Sequence, residues 1–113
     1  MKYLLLIQHG DAPEFESLSQ EEQKKIYAGY AAINNTPGVT PGERLEGAEN
    51  ATTVRVQDGK TLTTDGPFVA LKEALGGWLT YEADDLDAAI ELAARIPATW
   101  LGGSVEIRPF MQG

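Results

Sequence analysis

The chain has 113 residues, which fits one domain with one modest hydrophobic core; such a domain buries about two-thirds of the surface its unfolded chain exposes. Its formal net charge is -8, from 17 acidic and 9 basic residues, which argues against a nucleic-acid partner unless the few basic groups cluster. There is no cysteine, so disulfides, thiol nucleophiles and thiolate metal sites are excluded.

Lys2 to Gln8 is apolar at almost every position, which predicts a short strand covered on both faces. Leu4-Leu5-Leu6-Ile7 is too short for the apolar region of a signal peptide. Nothing approaches transmembrane length, so the expectation is a cytoplasmic protein with no membrane partner. His9-Gly10-Asp11-Ala12-Pro13 breaks the strand. Ser19-Gln20-Glu21-Glu22 then reads as a capping box, with Ser at the N-cap and Glu three residues on. Ile26, Tyr30 and Ile33 follow at helical spacing and make one apolar stripe, with Glu21, Lys24 and Lys25 off it. The helix is predicted to stop near Asn34-Asn35, with Pro37-Gly38 beyond. Val39 to Glu43 reads as a loop and Arg44 to Glu49 as a short polar strand.

Thr52 to Thr64 reads as a β-hairpin turning at Asp58-Gly59. A two-residue turn sets Leu62 opposite Arg55. A three-residue turn over Gln57-Asp58-Gly59 sets it opposite Val54, with Val56 on the same face. The single apolar face favours the longer turn, with Gly59 left-handed. The hairpin leads into Asp65-Gly66-Pro67-Phe68, a stiff corner predicted to carry Phe68 inward: Asp favours an Asx-turn, Gly permits unusual dihedrals and Pro fixes its own φ. Gly76 to Glu82 is the next strand, with Leu79 and Tyr81 on one face and Trp78, Thr80 and Glu82 on the other. Asp84 or Asp85 caps a helix whose stripe is Leu86, Ala89, Ile90 and Ala93, closed by Arg95 and Pro97. In the last strand, Ser104 to Phe110, Val105 and Ile107 oppose Glu106 and Arg108.

The order β-α-β, hairpin, β-α-β leaves two helices to cover one face of one sheet, an α+β, ferredoxin-like plan. The other face carries Trp78, Thr80, Glu106 and Arg108. It is too apolar at Trp78 for plain surface and too charged at Arg108 for plain core. A second copy of the sheet packed against it satisfies both, so a homodimer is expected.

The run Thr63-Thr64-Asp65-Gly66-Pro67-Phe68-Val69-Ala70-Leu71-Lys72-Glu73, with Gly76-Gly77 shortly after, resembles the DGPF signature of the YCII-related proteins. Asp65-Gly66-Pro67-Phe68, Lys72-Glu73 and Gly76-Gly77 match it. Val69, Ala70 and Leu71 depart from it, and Ala70 stands where the family usually has Glu. The likeness extends over almost the whole chain, from Met1-Lys2-Tyr3-Leu4-Leu5 to Val105-Glu106-Ile107-Arg108-Pro109. It implies a dimeric α+β barrel and no settled reaction. YCII relatives are thought to use a His–Asp pair in the barrel cleft, which His9 and Asp65 resemble by residue type. Some proteins of this type are encoded beside extracytoplasmic-function sigma factors, which offers a non-catalytic regulatory module as the alternative reading.

His9 is the only histidine, so a multi-histidine metal site is excluded. Its ordinary pKa near neutrality suits proton transfer with Asp65 or Asp11; the bland alternative is a solvated turn residue. Lys72 is a second candidate for holding negative charge, and with Glu73 it also reads as a surface ion pair. Arg108 on the helix-free face needs a partner there, supplied by a bound carboxylate or phosphate or by Glu106. Trp78 either walls a pocket or fills an interface. The expected site is therefore His9 and Asp65 as catalytic groups, with Lys72, Trp78 and Arg108 around a small polar or anionic organic molecule, and with no metal or cofactor. Asp84, Asp85 and Asp87 lack the glycine and distal glutamate of a calcium loop and read as a helix start.

Overall fold

A computed structural model describes residues 1–10, 15–66 and 74–112. Its elements are β1 (Lys2–His9), α1 (Gln20–Asn34), β2 (Val39–Arg44), β3 (Thr52–Gln57), β4 (Lys60–Asp65), β5 (Ala74–Glu82), α2 (Leu86–Ala94), α3 (Pro97–Trp100) and β6 (Ser104–Pro109), with single 3-10 turns at Phe15–Ser17 and Ala48–Asn50. Four strands form one sheet in the order β2-β5-β1-β6, every neighbouring pair antiparallel. Setting the hairpin aside, this is the strand order of two interleaved β-α-β units, and the α+β, ferredoxin-like expectation holds.

Strand alternation divides the sheet. Tyr3, Leu5 and Ile7 of β1 and Leu79 of β5 are buried under the helices, with Tyr81, Val105 and Ile107 packed partly against them. Leu4 and Leu6 alternate with these and stay only half-buried. Within one chain β1 is therefore covered on one face, not on both as its apolar run suggests.

Helix α1 starts as the capping box requires. The Glu22 N–H donates to Ser19 Oγ at 3.1 Å, and the Ser19 N–H donates to Glu22 Oε1 at 3.4 Å. Ile26 and Ile33 are buried and Tyr30 packs partly against the core, so the predicted stripe is the inward one. In α2 the N-cap is Asp85, whose Oδ1 accepts from the Ala88 N–H at 2.9 Å. Its inward stripe is Ala89, Leu92, Ala93 and then Ile96, while Leu86 and Ile90 are about half exposed at 49% and 50%. The predicted stripe shared Ala89 and Ala93 but turned too far round the helix: the close approach to the sheet falls on the alanines. Pro97 does end α2's reach, and it also opens α3 from the first helical position, where its missing N–H costs nothing.

Two other expectations fail on turn and edge chemistry. The polar strand is Val39–Arg44 rather than Arg44 to Glu49. As an edge strand it tolerates Pro41, which a central strand would not. Gly42 is also required there: a Cβ would come within 2.6 Å of the Trp78 indole. The hairpin takes the two-residue turn. Gln57 pairs with Lys60 and Arg55 with Leu62, with Asp58 at φ 51° and Gly59 at φ 75°. Positive φ at both central residues is a type I′ turn, whose twist matches the strands. That local preference outweighs one apolar face, since among the described residues the hairpin pairs only with itself and leaves Val54 and Val56 60% and 69% exposed.

Candidate functional site

The face that carries no helix among the described residues, called helix-free below, assembles from alternate residues of all four strands. Leu6 lies between Trp78 on β5 and Glu106 on β6; Leu4 lies between Thr80 and Arg108. Trp78 lies against Gly42 of β2, whose lack of a side chain admits the indole. Arg108 Nε stands 3.8 Å from Glu106 Oε2 within the same chain, and both side chains are mostly exposed. An exposed pair of this kind is worth little to stability. It leaves the guanidinium free to change partners. The face thus places Trp78 and Arg108 on one surface, with the apolar pair Leu4 and Leu6 between their strands.

Asp65 ends β4 opposite Thr52 and is exposed. The base of the hairpin is tied by the Gly66 N–H donating to Ala51 O at 2.7 Å and by Thr53 Oγ1 donating to Gly66 O at 2.8 Å. Gly66 has φ +103°, a conformation that side chains rarely adopt. Beyond Gly66 the corner predicted from Asp65-Gly66-Pro67-Phe68 lies outside the described residues. Pro67, Phe68, Lys72 and Glu73 lie outside the described residues, as does Asp11.

His9 is placed differently from Trp78 and Arg108. It follows Tyr3, Leu5 and Ile7 by strand alternation, which sets it on the helix side, at the rim of the sheet. A bulge in β5 lies beside it: Ile7 pairs with Gly77 but Gln8 pairs with Leu75, so Gly76 is the extra residue. A Cβ at Gly76 would overlap the His9 ring. Burial, first, and the positive charge of Arg44, second, hold the imidazole pKa below its usual value. Among the described residues no hydrogen bond or ion pair joins His9 to Asp65. One copy of the chain therefore brings Trp78 and Arg108 onto one face and does not couple the two proposed proton carriers.

Arg44 and Tyr30 received no site role from sequence. Tyr30 was accounted for by its place in a core stripe. Arg44 fell at the start of a mispredicted strand, and only the β2 register sets it opposite Gly77. Burial pushes the Tyr30 hydroxyl pKa up, while Arg44 and a backbone hydrogen bond with Ala98 act the other way. Among the described residues no group of three or more His, Asp or Glu is placed to hold a metal ion, and no helix is long and apolar enough to cross a membrane.

Comparison with known proteins places the sequence in a family. The YCII-related domain matches residues 1–112. An uncharacterised protein of Rhizobium meliloti (strain 1021) is 30% identical over 117 residues, covering 96% of this chain and 91% of that protein. A single family signature runs from the first strand through the hairpin to the last, and the chain belongs to the YCII-related family.

Proposed function

We propose that two copies of this chain close over each other's helix-free sheet face, and that the chamber between them holds a small polar or anionic organic molecule. The observation that carries this reading is the make-up of that face. Leu4, Leu6 and the Trp78 indole share it with Arg108 and Glu106. A bare surface gains nothing from such an apolar centre, and a sealed core would not tolerate the charges. The shape supports it. The chain measures 18 Å through its thinnest dimension, with a radius of gyration of 16.1 Å. A compact chain of this length has a radius near ~13 Å. One sheet and one helix layer account for the thin dimension, so a second sheet has room to pack.

In this reading Trp78 walls the chamber and Arg108 exchanges Glu106 for a ligand's negative charge. Proton transfer between His9 and Asp65 belongs to the same proposal, and it requires the association of two copies to bring these groups together. Sedimentation and native mass spectrometry on the purified protein test the binding part. A dimer at micromolar concentration, with a small molecule retained under native conditions, is the expected result. A monomer with its tryptophan fluorescence at the wavelength of open water overturns it. For the proton-transfer part, once a retained molecule is identified, His9→Asn and Asp65→Asn should each abolish turnover while leaving the dimer intact.

A further inference from the structure

The rim of the sheet on its helix side holds a second arrangement, which shares His9 with the proposed proton pair and stands apart from the Trp78 and Arg108 face. Three adjacent strands end there: β2 with Arg44, β5 with the Gly76-Gly77 step, and β1 with His9. The middle strand contributes no side chain. Two strand spacings, about 10 Å, separate the outer backbones, and the positive charge of Arg44 acts across them on the His9 ring. The His9 ring already occupies the space a Gly76 Cβ would take. Arg44 Cα lies 3.9 Å from where a Gly77 Cβ would stand, and the Leu45 N–H ties β2 to Gly76 O at 2.8 Å. From above, α1 contributes Tyr30, which is partly packed on the core and feels the same guanidinium.

The charge around this notch is unusual for the chain. Acidic residues outnumber basic ones 17 to 9, yet among the described residues no carboxylate forms an ion pair with Arg44. Arg44 and His9 are both solvent-exposed, so a ligand can reach them. A guanidinium fork, an imidazole and a phenol around a side-chain-free floor offer several donors, and among the described residues no carboxylate is paired with the guanidinium. That donor set matches an oxyanion.

We propose that the Gly76-Gly77 notch, bounded by Arg44, His9 and Tyr30, is a binding site for a small oxyanion, the carboxylate or phosphate end of a metabolite. Arg44 supplies the charge-assisted bonds, and His9 adds a second positive charge when the anion is in place. The glycines keep the floor open, so the anion approaches the backbone of β5 closely. The site does not depend on the dimer, because Arg44 and His9 stand on the opposite side of the sheet from Trp78.

His9, as the only histidine, gives one imidazole Cε1–H resonance, a direct reporter. The intact protein is titrated at constant pH and ionic strength with inorganic phosphate, with acetate, and with chloride as control. A saturable shift of this resonance with phosphate or acetate, absent with chloride, is expected. Response to phosphate alone assigns a phosphate end, and response to acetate alone or to both assigns the carboxylate chemistry as sufficient. Arg44→Gln should weaken the half-saturating concentration by about tenfold or more, the worth of a hydrogen bond to a charged group. Arg44→Lys, which keeps the charge, should bind more tightly than Arg44→Gln and serves as the folding control. Trp78→Ala should leave the titration unchanged even where it dissociates the dimer. A response equal to that of chloride, or one that survives Arg44→Gln undiminished, overturns the proposal.

Discussion

The two faces of the four-stranded sheet are made by alternate residues of the same strands, and they end differently. On the covered face Tyr3, Leu5, Ile7 and Leu79 disappear beneath the helices. On the open face Leu4, Leu6, Trp78 and Thr80 are left half-buried by their own neighbours. The side chains of β1 are almost equally apolar on both sides. What differs is the second layer, which one chain supplies once. Periodicity therefore determines which residues share a face, while the cover over a face depends on what else the chain, or its assembly, brings to it.

The largest effect should come from the covered side. Leu5 has no exposed surface. Leu5→Ala removes buried methyl groups and leaves a cavity between sheet and helices, at a cost of about 2–5 kcal/mol. Urea unfolding followed by circular dichroism measures it. A loss below about 1 kcal/mol would mean that the helix layer collapses onto the gap. The open face should behave differently in kind. Trp78→Ala is expected to weaken association by about 2 kcal/mol, roughly thirtyfold in the dimer constant, as for a central aromatic at an interface. Sedimentation over a dilution series reads this directly. An unchanged distribution of species would leave the open face uncovered and break the comparison in favour of a bare surface.

Gly42 sharpens the same contrast on a smaller scale. A Cβ there would overlap both the Trp78 carbonyl oxygen and the indole. Gly42→Ala should cost about 1–3 kcal/mol by overpacking, and should tilt the indole enough to change its fluorescence. An alanine tolerated without either change would place the indole clear of β2.

Much of this was legible from sequence because the relevant signals are local or strictly periodic. The Ser19 capping box, the Ile26–Ile33 stripe and the alternation of Val105 and Ile107 with Glu106 and Arg108 each depend on neighbours within a few residues. The failures have one physical character. At the hairpin, the choice of turn rested on gathering Val54, Val56 and Leu62 onto one face. That face matters only when something packs on it, and the backbone preference of Asp58-Gly59 prevailed. In α2, the depth of approach to the sheet selected Ala89, Leu92 and Ala93 over Leu86 and Ile90. For the site, Trp78 and Arg108 could be put on one face by counting. The meeting of Arg44 with the glycine step could not, because it depends on a register break in β2 and a bulge in β5 that leave no pattern in the residues themselves.

The rim where His9 stands is intermediate between the two faces, and pH should reveal it with the smallest effect. The ring's ordinary pKa is 6.5, and in the folded chain burial first and Arg44 second hold it lower. On acidification the unfolded chain takes up its proton before the folded chain does. The stabilising contribution is therefore complete above the unfolded value and is lost as pH falls from there through the folded value. Carboxylates also titrate at low pH, so the informative quantity is a difference. Between about pH 7.5 and pH 5.5, a window set around the histidine's unfolded value, wild type should lose more stability than His9→Asn. Arg44→Gln should lose an intermediate amount, since it removes the repulsion and leaves the burial. Equal losses in wild type and His9→Asn would mean that the ring is as well solvated folded as unfolded. His9 would then belong to the open surface rather than to the edge of the covered one.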